Sequence, residues 1–152
     1  MNIVLFEPEI PVNTGNIGRT CVATGSRLHL IRPLGFFIDD KSLKRAGMDY
    51  WQELDVNIYD NFDDFLTKNN NPRIFMVETN AKMLYNDVKY VGDDFIMFGK
   101  ETTGIPPELL EKYNDTVVRI PMIPGTRSLN LSNAAAIVLF EALRQTGFKD
   151  LK

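Results

Sequence analysis

The 152-residue chain holds one cysteine, one histidine and one tryptophan. A lone cysteine, Cys21, excludes an internal disulfide and leads one to expect a reducing, cytoplasmic setting. Cys21 and His29 together cannot furnish the Cys/His ligands of a zinc site within one chain, so no metal is expected. No run of about 18 apolar residues occurs, so no membrane span is expected. The strand-like Asn2–Phe6 stretch is preceded by no basic segment or small-residue cleavage site, so no secretory signal is expected. Repeats, low-complexity tracts and linkers are also missing, and residues 1–152 read as a single domain.

What is present is ordinary in bulk and uneven in detail. Hydrophobic residues make up 44% and charged residues 24%, as in a soluble globular protein with a real core. The net charge of −3 by itself argues against a nucleic-acid partner. However, Arg19, Arg27, Arg32, Lys41, Lys44 and Arg45 crowd one stretch, and Asp49, Glu53, Asp55, Asp60, Asp63 and Asp64 the next. A local basic face can bind phosphates within an acidic protein, because charges more than a Debye length away are screened.

Short apolar runs at Asn2–Phe6, Leu28–Arg32, Leu54–Tyr59, Ile74–Val77, Phe95–Phe98 and Thr116–Ile120 read as strands. Ile17–Thr24, Lys41–Ala46, Phe62–Lys68, Pro106–Lys112 and Asn130–Thr146 read as helices, the first stopped by Gly25 and the last by Gly147. The alternation predicts an α/β domain with a mostly parallel sheet and helices on both faces. The last helix is apolar around its whole circumference from Ala134 to Phe140, which predicts burial on two sides, one of them against a second copy in a homodimer.

Three loops carry more polar and glycine residues than turning the chain requires. In Pro11–Thr20, PVNTGNIGRT, the residues Asn13, Thr14 and Asn16 suit a helix cap, and Arg19 follows in what should be the first turns. Phe98–Glu108, FGKETTGIPPE, leaves a buried strand at the end where α/β proteins place ligands. It is not a P-loop, because Glu101 stands where Ser or Thr would have to follow the lysine. Glu101 reads either as a polar anchor or as a cap for the coming helix. In Pro124–Leu143, PGTRSLNLSNAAAIVLFEAL, a polar row from Arg127 to Asn133 precedes an apolar helix, more hydrogen-bonding groups than one cap uses. Three such loops, each following a strand, predict a crevice at one sheet edge.

In order and spacing, NTGNIGR, FGKETTGIP and IPM…RSLNLSNA resemble the three motifs of SPOUT-class RNA methyltransferases, and LFEPEIP and RAGMDYW are similar to the small TrmL (YibK-like) group. The resemblance spans Met1 to about Gly147. It implies an α/β fold with a C-terminal trefoil knot, S-adenosylmethionine as methyl donor, a tRNA substrate and a homodimer with the site completed across the interface. The reaction implied is 2′-O-methylation of the wobble nucleotide, cytidine or uridine 34, of leucine tRNAs. The alternatives are another tRNA position or rRNA, or a cofactor-binding protein without catalysis. By position, the resemblance implies cofactor contacts at Val77, Gly99, Ile120, Ser128 and Leu129. It implies Arg19 as the catalytic arginine, with Asn13, Glu101 and Asn130 as the polar motif positions. Phe140 stands where close relatives are expected to carry tyrosine, a change that keeps the ring for dimer packing.

Overall fold

The computed structural model describes residues 1–37, 49–149 and 151–152. Among them, seven strands form one sheet: β1 (Asn2–Phe6), β2 (Arg27–Ile31), β3 (Val56–Tyr59), β4 (Ile74–Val77), β5 (Met83–Leu84), β6 (Phe95–Phe98) and β7 (Val117–Arg119). The order across the sheet is β3-β2-β1-β6-β4-β7-β5, and every pairing is parallel. The helices are α1 (Pro11–Thr24), α2 (Phe62–Lys68), α3 (Pro107–Lys112) and α4 (Leu131–Gln145), with 3-10 turns at Asp49–Glu53 and Asn114–Thr116. No helix is long and apolar enough to cross a membrane among the described residues.

Strand alternation builds two cores. Ile3 and Leu5 of β1, Leu28 and Leu30 of β2 and Ile96 and Phe98 of β6 point to one face. There they meet Ile17 and Cys21 of α1 and Ala135, Val138, Leu139 and Ala142 of α4. Val4, Phe6, Ile31, Met76 and Met97 point to the other face, where Phe65 and Leu66 of α2 and Leu109 and Leu110 of α3 cover them. Helices therefore lie on both faces, as the alternation predicted. Full burial pushes the Cys21 thiol up to about 12, which leaves it a packing residue with no nucleophilic character.

His29 lies in the second layer, fully enclosed, and its hydrogen bonds assign its tautomer. The Asn2 side-chain amide donates to the carbonyls of Asp93 and Asp94, so Asn2 Oδ1 is free to accept from His29 Nε2–H at 3.2 Å. Nδ1 is then the acceptor for the Tyr59 hydroxyl at 2.8 Å. Desolvation takes the imidazole pKa down to about 4.

Three sequence expectations change. Helix α1 starts at Pro11, six residues before Ile17, because proline fits the first helical position, where its missing N–H is not needed. Asn13 and Thr14 are consequently buried inside the helix and do not cap it, Asn16 is exposed on its flank, and the capping residue Ile10 makes no side-chain cap bond. Strand β5 was not foreseen, since two residues carry no periodicity. Within the single chain helix α4 buries one face, and Ile137 and Phe140, on the side expected to meet a second copy, are exposed. The expected helix at Lys41–Ala46 lies outside the described residues.

Candidate functional site

The strands run from β1 outward in one direction to β2 and β3 and in the other to β6, β4, β7 and β5. Such a reversal parts the loops at the C-terminal strand ends and opens a crevice there. A cleft of about 690 Å³ occupies that place. Its walls come from the β1–α1 segment (Ile10, Asn13), the loop after β4 (Val77–Thr79), the loop after β6 (Gly99–Gly104) and the segment from Ile120 to Leu131. Of the residues expected from sequence, Val77, Gly99, Ile120, Ser128, Leu129, Asn13, Glu101 and Asn130 all line it. Arg19 does not.

Glu101 is a polar anchor, the first of the two readings. Its carboxylate does not cap α3. One oxygen accepts the Glu9 backbone N–H at 2.8 Å, and the other accepts Ile10 N–H at 3.2 Å and the Asn13 side-chain amide at 3.0 Å. It thus caps α1 from across the cleft, placing negative charge at the positive end of a helix that has no acidic residue in its first turn. Glu9 reciprocates by accepting the Thr102 amide at 3.1 Å and hydroxyl at 2.7 Å. Lys100 pairs with Glu7 at 2.5 Å, which raises the lysine pKa.

From Asn13 the hydrogen bonds continue. Asn130 Nδ2 donates to Asn13 Oδ1 at 3.0 Å. Asn130 Oδ1 accepts the amides of Ser132 and Asn133 and the Ser132 hydroxyl, capping α4. One polar chain, Glu101–Asn13–Asn130, therefore ties the three motif loops together and accounts for part of the polar row before α4.

The Gly99–Gly104 hairpin is closed by paired backbone bonds, Lys100 N–H to Gly104 O at 3.1 Å and Gly104 N–H to Lys100 O at 2.9 Å. A Cβ on Gly99 would lie 2.1 Å from the Gly104 carbonyl carbon, so only glycine lets the two arms meet. Glu78 was missed in the sequence. It lines the cleft after β4, accepts the Thr79 amide at 2.7 Å, and approaches Gly104 so closely that an added Cβ there would sit 2.6 Å from its oxygen. A lone acid after a strand gives no signal until the fold places it beside the hairpin.

Arg19 sits in the third turn of α1, exposed, with its guanidinium 4.9 Å from the Tyr50 ring centroid. The basic stretch around it is partly neutralised: Arg27 pairs with Asp55 at 2.9 Å and Arg32 with Asp60 at 3.1 Å, both acids from the run that follows. Lys41, Lys44 and Arg45 lie outside the described residues. No group of three or more His, Cys, Asp or Glu side chains able to hold a metal ion occurs among the described residues.

Residues 1–140 match the model of the SpoU rRNA Methylase family. A tRNA (cytidine(34)-2′-O)-methyltransferase of Saccharophagus degradans is 50% identical over 152 residues, covering 99% of both chains. A solved structure concerned with 2-OH methylation of C/U34 on tRNA superposes with a TM-score of 0.88 at 40% identity, over 95% of each chain. An AdoMet-bound rRNA methyltransferase of Sinorhizobium meliloti superposes with a TM-score of 0.80 at 28% identity, over 94% of this chain and 55% of that one.

Proposed function

The chain belongs to the SpoU methylase family, and from that premise we propose that it transfers a methyl group from S-adenosylmethionine to the ribose 2′-hydroxyl of the wobble nucleotide, cytidine or uridine 34, of tRNA. Leucine isoacceptors are the substrates in this reading. The observation that carries it is the meeting of all three motif loops in one cleft, in a chain half identical from end to end to a tRNA (cytidine(34)-2′-O)-methyltransferase.

The cleft fits the methyl donor. Its volume lies in the range of small-molecule sites, Val77, Ile120 and Leu129 give it apolar walls, and the hairpin turns backbone groups toward it. S-adenosylmethionine supplies an activated methyl group whose transfer leaves a neutral thioether, so no residue is needed to stabilise the leaving group. The harder task is the nucleophile, a weakly acidic alcohol. A guanidinium offers donors and no acceptor, so Arg19 cannot act as the base. In this reading it grips the neighbouring phosphate and stabilises negative charge developing on the 2′-oxygen. A phosphate oxygen takes the proton, since Glu101 is already engaged with three donors. Ser128 and Leu129 shape the loop that places the ribose.

Arg19 lies outside the cleft of its own chain, which supports a homodimer whose sites are completed across the interface. Val12, Asn16 and Arg19 share one exposed face of α1 at helical spacing, and Ile137 and Phe140 are exposed on the neighbouring α4. The trefoil knot implied by the motifs and a cytoplasmic location complete the reading.

The test is methyl transfer from labelled S-adenosylmethionine to tRNA lacking the modification, with nucleoside mapping, beside Arg19→Ala. Label at the wobble ribose that falls at least 100-fold in the variant, with S-adenosylhomocysteine binding kept, is the expected result. Label at another nucleotide, or full activity in Arg19→Ala, refutes the assignment.

A further inference from the structure

We infer that Tyr50, which belongs to none of the three motifs, is a positioning residue that holds the Arg19 guanidinium ready for the RNA phosphate. The inference rests on the role proposed for Arg19. Three contacts carry it. The guanidinium carbon of Arg19 lies over the Tyr50 ring, 4.9 Å from its centroid, within the range of a cation–π interaction. The Tyr50 hydroxyl donates to the Gly15 carbonyl, the same carbonyl that helix geometry assigns to the backbone N–H of Arg19, four residues on. The ring is thereby tethered to the turn that carries the arginine. Gly18 packs against the same turn: a Cβ there would lie in ordinary contact with Trp51 Cζ3 at 3.5 Å and Tyr50 Cε2 at 3.6 Å, and closer to Leu54 Cδ2 at 3.1 Å.

Gly18 faces the residues of the Asp49–Glu53 turn and Leu54, and Gly15 offers that turn its backbone carbonyl. A long arginine on a helix surface loses rotamer freedom when it grips an anion. One already laid on a fixed ring has lost part of that freedom beforehand, so less of the binding energy is consumed in ordering it.

The experiment is a double-mutant cycle on tRNA affinity, read by fluorescence anisotropy with S-adenosylhomocysteine bound, using Tyr50→Leu, Arg19→Ala and the double variant. Tyr50→Leu should weaken tRNA binding by roughly 2- to 5-fold, the range of a cation–π contact at an exposed site, while S-adenosylhomocysteine affinity stays within about twofold. In the Arg19→Ala background the same change should have no further effect, and Tyr50→Phe, which keeps the ring, should recover most of the loss. Should Tyr50→Leu shift S-adenosylhomocysteine affinity beyond that limit, the ring supports the fold as a whole and the inference is overturned. An effect of either Tyr50 variant that persists undiminished without Arg19, or wild-type affinity in both, overturns the inference. If Arg19→Ala itself binds and methylates as the wild type does, the functional reading of Arg19 fails instead, and the two failures are told apart in one data set.

Discussion

Glu101→Gln separates a carboxylate that does chemistry from one that holds a helix. Glutamine offers one oxygen where Glu101 uses two. In the better orientation its oxygen keeps the bonds from Ile10 N–H and the Asn13 amide, and its NH2 group faces the Glu9 N–H, donor against donor. A bond to a charged group, worth about 1.5–3 kcal/mol, is lost at Glu9, and the two that remain drop from charge-assisted to neutral strength. The Ile10 amide is exposed and recovers much of its loss from water. The net cost is about 2–3 kcal/mol, which for a domain of this size lowers Tm by about 5–10 °C. Because Asn13 passes the disturbance to Asn130 and the last loop, S-adenosylhomocysteine affinity should fall roughly tenfold, about 1.4 kcal/mol. Differential scanning fluorimetry and calorimetric titration read both quantities. The pH profile of residual turnover should keep its wild-type shape. A Glu101→Gln protein with wild-type Tm and cofactor affinity but no turnover would refute the structural role and return Glu101 to proton transfer.

Gly99→Ala should weaken S-adenosylhomocysteine binding by more than about tenfold in titration, since the added methyl carbon collides with the Gly104–Ile105 backbone and the hairpin cannot close. Phe140→Asp should convert the proposed dimer to a folded monomer by sedimentation, because Phe140 is 47% exposed in the single chain and contributes little to its core; an unchanged mass would remove α4 from the proposed interface. His29 should make stability pH-dependent. Its pKa in the folded chain is about 4 against 6.5 when unfolded, so the unfolded state binds the extra proton between these values. Stability is intact above pH 6.5 and declines by about 3 kcal/mol as pH falls toward 4. Urea unfolding at fixed protein concentration should show this slope, and His29→Gln should lack it; equal slopes would disprove the assignment.

The layered fold was legible because its signals are local. Buried parallel strands read as unbroken apolar runs such as Asn2–Phe6 and Phe95–Phe98, and α2 begins where Asn61 can accept the Asp64 amide. The start of α1 was misread because Asn13 and Thr14 look like caps on any sequence scale. What actually caps the helix is Glu101, some ninety residues further on, and no local pattern encodes that. The cleft residues were found through motif resemblance, whereas their division of labour was not. Asn13 and Asn130 appear in the sequence as separate polar positions and only the fold joins them. Tyr50 gave no chemical signal by itself, since an aromatic next to tryptophan reads as core until an arginine is found lying on its face.

The hydrogen-bonded pairs that define the cleft join residues 88 and 117 positions apart. Helix α4 and the loop before it complete a pocket whose first wall, Ile10 and Asn13, is made near the start of the chain. A growing polypeptide therefore has no cofactor site until its final segment has docked, however much of the sheet is already formed. Loss of this segment removes the site outright, with no graded loss of affinity. A ligand that binds only the finished pocket stabilises only finished molecules, so cofactor at cellular concentrations acts as a selector for completely folded chains.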